Sequence, residues 1–319
     1  MMKTKYVLAL LALVTIHQAF AGEKVDKRLA ASSDGVVEIE HESGKAVIKG
    51  WEKNEVWVSG ELGDKAEKFI FERDGNRVLI KVKSKHKSWS FGSGSDEGDD
   101  LEIFVPSASR LDYSAVNADV KAFGISGGNQ LETVNGAMDL QQLKGKLMLT
   151  TVNGSIKGKQ LEGDLSIESV NGDIDVQVSQ GRELSIESVN GDIEVYADAR
   201  EVHIETVNGD SELELATVDE FELSTVNGTH KVSLTLTPGA SVEASSVGGS
   251  IQLAFAEPLS ARFELEGHAG GDLENELTKD PVQREKYGPS RSLDFNVGKG
   301  EAEVEMSTVS GHLKVGYQK

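Results

Sequence analysis

Residues 165–178 read LSIESVNGDIDVQV, and the rule for most of the chain is contained in them. Leu165 and Ile167 alternate with Ser166 and Glu168. Beyond Asn171-Gly172, Ile174, Val176 and Val178 alternate with Asp173, Asp175 and Gln177. A period of two means strands with one buried face. The central phrase recurs: Asn117, Asn135, Asn153, Asn171, Asn190, Asn208 and Asn227 each follow a valine, at spacings of 18, 18, 18, 19, 18 and 19 residues. Asn-Gly between alternating runs ordinarily signals a hairpin, because both residues tolerate positive φ. A fixed period near twenty argues otherwise, since near-identical coils bury little alone and much when stacked. The sequence predicts an all-β, single-stack β-solenoid (β-helix) with 18–19-residue coils, capped by irregular strands at both ends. Independent hairpins are the alternative.

Stacking would bring each Asn to about 4.8 Å from its equivalent in the next rung. Side-chain amides can then donate and accept along the column, so the seven Asn residues are expected to form a structural ladder. The residue before each valine is Ser or Thr except at Ala115. Strict alternation from Leu165 turns Ser169 inward and Val170 outward. A bulge at the corner would reverse the two, and the sequence leaves this open.

Residues 1–21 have the pattern of a secretory signal: Lys3 and Lys5, an apolar run from Tyr6 to Ile16, and Ala19-Phe20-Ala21 as cleavage site. Its removal takes the formal charge from −20 to −22 by loss of two lysines. So acidic a chain is a poor match for nucleic acid. No second apolar run reaches spanning length, so no transmembrane span is expected after cleavage. With no Cys, an exported chain must be held by stacking alone. The expected division is 1–21 signal peptide, 22–110 opening and capping coils, 111–256 regular coils, and 257–319 irregular coils and cap, with 22–319 one structural domain.

In the opening section, Trp51 and Trp57 are expected as lids on the core, with ligand stacking as a second role. Residues 84–100 (SKHKSWSFGSGSDEGDD) lack a hydrophobic pattern and read as a protruding acidic loop. Asp96, Glu97, Asp99 and Asp100 lack the alternate spacing of a calcium loop. After Asn227 the repeat drifts: Val247-Gly248-Gly249 keeps the turn without the Asn, and 275–292 interrupts it as a short helix or a loop.

Val47-Ile48-Lys49-Gly50-Trp51, Glu55-Val56-Trp57-Val58-Ser59-Gly60, Leu101-Glu102-Ile103-Phe104-Val105-Pro106, the Val-Asn-Gly coils and Ser307-Thr308-Val309-Ser310-Gly311 follow in that order. In this the chain resembles the bacterial putative-adhesin family, secreted β-strand-repeat proteins of unknown function. The resemblance implies an envelope-associated β-solenoid and carries no catalytic residues.

Candidate chemistry is sparse. Gly124-Ile125-Ser126-Gly127-Gly128 matches the nucleophile-elbow pattern, but that motif needs a strand-to-helix turn. His41, His86, His203, His230, His268 and His312 show no zinc spacing and are expected as isolated surface residues. Three acidic columns are the sharper feature: Glu168, Glu187 and Glu205; Asp173, Asp192 and Asp210; Asp175, Glu194 and Glu212. In register they place like charges about 5 Å apart, forming a possible binding or cation face, with calcium as one offset. No cofactor is required and no metal site is firmly predicted. The reading is an exported, non-enzymatic scaffold or adhesion surface in the periplasm or at the surface of a bacterium, facing an envelope protein or glycan. The alternatives are a polysaccharide-acting β-helix enzyme or a divalent-cation-stabilised structural protein.

Overall fold

The computed structural model describes residues 17–18, 22–84 and 98–318, and every regular element among these is a β-strand. The signal segment therefore lies outside the described residues. The exception is His17–Gln18, whose backbone pairs antiparallel with Phe69 and Lys68.

Each coil has two halves. The front half runs into Val-Asn, as in Leu165–Asn171, and the back half begins after the turn, at Ile174. Front halves pair in parallel, coil to coil: Leu147↔Leu165↔Leu184↔Val202↔Phe221↔Val242. Back halves do the same: Met138↔Ile156↔Ile174↔Ile193↔Ser211↔His230↔Ile251. The architecture is all-β and solenoid-like, and the central Asn-Gly pairs turn the chain between parallel ladders instead of closing hairpins. Leu165, Ile167, Ile174, Val176 and Val178 are buried between the halves of one coil. Each such side chain contributes about 1.5–3 kcal/mol on leaving water.

The turn glycine has a steric reason beyond its backbone angle. A Cβ on Gly191 would lie 2.3 Å from the carbonyl oxygen of Gly172, and one on Gly209 2.1 Å from that of Gly191. Gly191 has φ 135°. The ladder Asn residues are absent from the positive-φ set, unlike the Asn of a hairpin turn with positive φ at both central residues.

The ends depart from this order. The first parallel coil, Val36–Trp51, pairs on one side with Arg110–Phe123 and on the other with Arg77–Ser84 and Asp99–Pro106. Beyond these the partners run antiparallel: Glu55–Glu61 on Asp99–Pro106, Lys24–Ala30 on Glu55–Glu61, and Ala66–Asp74 on Arg77–Ser84. At the other end the chain overshoots. Ala261–Gly267 and Asp272–Asn275 form an outer coil, and then Ala302–Thr308 and His312–Tyr317 return to lie between it and the coil 241–255. Arg291–Val297 closes the front edge antiparallel to Ala261–Gly267. The interruption 275–292 contains no helix and holds the short strand Gln283–Arg284.

Three sequence expectations are corrected here. Asp99 and Asp100 open the strand Asp99–Pro106 and do not belong to a loop, while Asp96 and Glu97 lie outside the described residues. Trp51 and Trp57 are not lids. Alternation with buried Ile48, Val56 and Val58 turns them outward, and both pack on Phe104 with ring centroids 5.1 and 5.0 Å away. His41 and His230 are buried, not isolated on the surface.

Candidate functional site

The front face decides between the two corner geometries. Alternation runs unbroken to the turn, so Ser169 is buried and Val170 is 40% exposed. Repetition turns this into a rail: Val116, Val134, Val152, Val170, Val189, Val207, Val226, Val247 and Val309 are all exposed by 37–48%. Two residues earlier on each strand stands a second outward column, Glu132, Thr150, Glu168, Glu187, Glu205 and Ser224, paired in register. Between the two lies a shallow groove of about 820 Å³, floored by the strand positions of Thr151, Ser169, Ser188, Thr206, Thr225 and Ser246. Its lining includes neither Lys nor Arg, and the ring at its end is His268. The hydroxyls of Ser169, Ser188 and Thr206 are buried without a hydrogen-bond partner among the described residues. Thr133 and Thr151, in contrast, bond each other at 3.2 Å. The signal for the rail was in the sequence, as a valine before every Asn, but its direction depended on the absence of a bulge.

Beside the rail the seven Asn side chains stand in one exposed column. Asn135 Nδ2 donates to Asn117 Oδ1 at 2.7 Å, Asn153 to Asn135 and Asn171 to Asn153 at 2.9 Å, and Asn190 to Asn171 at 3.0 Å. Asn208 donates to Asn190 and Asn227 to Asn208, both at 3.1 Å.

The acidic columns are not chemically alike. Asp173, Asp192 and Asp210 each accept a backbone N–H from the next coil, those of Asp192, Asp210 and Thr229 at 3.1, 2.9 and 2.8 Å. This engages their charge in the corner, since a carboxylate accepting an amide N–H makes a strengthened hydrogen bond. Asp175, Glu194 and Glu212 are flanked in register by Lys157 and Lys231. Glu168, Glu187 and Glu205 run along the groove without a paired cation in their column. Among the described residues, no three His, Asp or Glu side chains converge as metal ligands would.

Two buried polar clusters escaped the sequence. His41 Nε2 lies 3.2 Å from Asp99 Oδ2, outside hydrogen-bond angles, and its Nδ1 is 3.3 Å from the Tyr113 hydroxyl. Asp99 Oδ1 accepts the Gly63 N–H at 2.7 Å. Burial, with smaller effects of Asp119 and Asp99, pushes the Tyr113 phenol well above its ordinary range. The second cluster sits in the back ladder, where Ser211 Oγ and His230 Nδ1 are 2.8 Å apart in a column otherwise apolar at Ile193 and Ile251. Burial lowers the His230 pKa against the opposing pull of Asp210 and the Asn227 backbone.

The remaining candidates stand apart. Ser126 is exposed at a corner, where its Oγ donates to the Ser107 carbonyl at 3.0 Å. His203 approaches Glu222, His268 approaches Glu266, and His312 approaches Asp272 and Glu274, all at the surface. His86 is outside the described residues. The aromatic patch already carries cations: Arg28 lies 4.5 Å from the Trp57 ring and Lys53 4.7 Å from the Trp51 ring. Its indole N–H groups are also used, by Asp26 and the Glu55 carbonyl.

The model of the Toastrack DUF4097 family matches residues 35–316, and the chain belongs to that family. No curated protein matches it. Among solved structures it is similar to a putative lipid binding protein from Parabacteroides distasonis, at 13% identity and TM-score 0.43, covering 93% of this chain and 98% of that one. It is also similar to a putative adhesin from Bacteroides fragilis, at 12% identity and TM-score 0.34, over 92% and 97%. A putative cell adhesion protein from Clostridium sporogenes matches at 10% identity and TM-score 0.21, over 93% and 100%.

Proposed function

We propose that this Toastrack chain is an exported, non-enzymatic β-solenoid, a single stack from residue 22 onward, serving as a scaffold or adhesion surface in the bacterial envelope. Its contact face is the front groove between the valine and glutamate rails. One observation carries the reading: nine valines in register stay exposed along one face. Scattered exposed apolar residues are ordinary, whereas a contiguous apolar strip rimmed by polar groups marks an interaction surface. The basic and apolar pattern of residues 1–21 supports export.

The test is co-sedimentation of the purified mature chain with envelope fractions. Val170→Ser, Val189→Ser and Val207→Ser, combined, should lower the bound fraction at least fivefold with the fold intact by circular dichroism. Glu194→Gln with Glu212→Gln, on the back face, should leave it unchanged. Equal retention of both variants would overturn the reading.

A further inference from the structure

Resting on that reading, we infer that the front groove receives a cationic amphipathic α-helix of a partner polypeptide, laid along the stack with its apolar stripe on the valines and its basic residues on the glutamates. The rails set the chemistry. One wall is apolar throughout its length, while the other presents Glu168, Glu187 and Glu205 between hydroxyl residues. The lining supplies no Lys or Arg, so the counter-charge must come from the occupant. A second copy of this chain is a poor source: groove to groove it brings the same acidic wall, and its formal charge is −20 before processing. Anionic lipid headgroups or acidic polysaccharide would meet the glutamates as like charges. A neutral glycan would look for ring faces, and the groove holds no Phe, Trp or Tyr.

Spacing selects the conformation. Rungs are about 4.8 Å apart, and same-face side chains of an extended strand repeat at about 6.6–6.8 Å. A strand running along the axis would thus lose register by about 2 Å at every step. An α-helix turns every 5.4 Å, close to one turn per rung, and drifts only about 2.4 Å over four turns. Eight steps between nine valines give a rail of about 38 Å, long enough for about 25 helical residues. Glutamates two residues up-strand stand about 6.8 Å to the side of the valine column, within reach of Lys or Arg side chains flanking a helical apolar stripe.

The experiment uses the mature chain and a fluorescein-labelled 18-residue Leu/Lys peptide with helical apolar periodicity. The controls are a scrambled peptide of identical composition and a Leu/Glu peptide of the same pattern. Fluorescence anisotropy should give saturable, salt-sensitive binding of the helical peptide, at least tenfold tighter than the scrambled one and absent for the acidic one. Glu168→Gln, Glu187→Gln and Glu205→Gln, combined, should weaken it at least tenfold, and so should the Val170, Val189 and Val207 serine variant. Glu194→Gln with Glu212→Gln should not. Equal binding of scrambled and periodic peptides, equal loss from the back-face variant, or no binding would each overturn the inference. If no peptide binds while the serine variant still loses envelope sedimentation, the helix falls and the adhesion surface stands.

Discussion

The central coils and the two ends solve the same problem by different means. Between Leu111 and Ser246 the rungs pair with the copy 17 to 21 residues along, so the core grows by repetition of one local pattern. At the ends the partners are distant: Gly44–Trp51 pairs with Asp99–Pro106, and Ser241–Ser246 with Glu303–Thr308. Antiparallel strands then cover both outer edges on the front side, where bare strands would invite edge pairing. The middle is held by sameness of shape, whereas the N-terminal end adds a buried polar cluster of His41, Asp99 and Tyr113.

Breaking the sameness should cost most. Gly191→Ala puts a Cβ 2.3 Å from the Gly172 carbonyl at a positive φ, and a loss of about 3–5 kcal/mol or failure to fold is expected. Gly239→Ala also has positive φ, with nothing within 4 Å of the added carbon, so only about 1–2 kcal/mol should go. Equal shifts on thermal melting would remove the steric account of the turn. Next in size is Asp99→Ala, which leaves the buried Gly63 N–H unpaired and removes the polar neighbour of His41, at a cost of about 1–3 kcal/mol. Hydrogen exchange should show its loosening confined to residues 24–84 and 98–106, with the central coils still protected. Protection lost evenly along the chain would mean that the ends and middle unfold as one unit.

The Asn column sharpens the comparison at smaller scale. Asn190 both donates and accepts, whereas Asn117 only accepts within the column. Asn190→Asp should therefore cost about 1 kcal/mol and Asn117→Asp distinctly less. Matching melting shifts would argue that the amides act singly. The smallest effect concerns acid. The lowered His230 pKa means that the unfolded chain takes up that proton first as pH falls below about 6.5, so stability present above this value is lost toward the folded-state pKa. The melting temperature should fall by a few degrees between pH 7.5 and 5. Ser211→Val with His230→Leu should flatten this slope, and an unchanged slope would assign it to other groups.

The middle was legible because one physical rule, alternation with a fixed return, repeats often enough to be unmistakable. The same rule sent Val170 outward, and the reading wavered there only because a single bulged residue would invert it. The glycine column was legible as a turn but not as a close approach, since its obstruction is a carbonyl 18 or 19 residues back. His41 and Asp99 meet across 58 residues, with no local pattern announcing that the apolar alternation admits a buried polar contact. Coil order at the C-terminus was hidden for another reason. Leu253 accepts Val315 as neighbour as readily as any β-strand accepts another, so sequence order is a poor guide to stacking order.

That returning coil has a consequence for how the molecule is completed. Ala302–Tyr317 occupies an interior shelf whose neighbours on both sides precede it in the chain. The shelf must stay vacant until Ala302–Tyr317 has followed both of its neighbours out of the ribosome or the export channel. A chain lacking Ala302–Tyr317 would carry a gap within its wall, so this late coil acts as a keystone that seals two earlier ones.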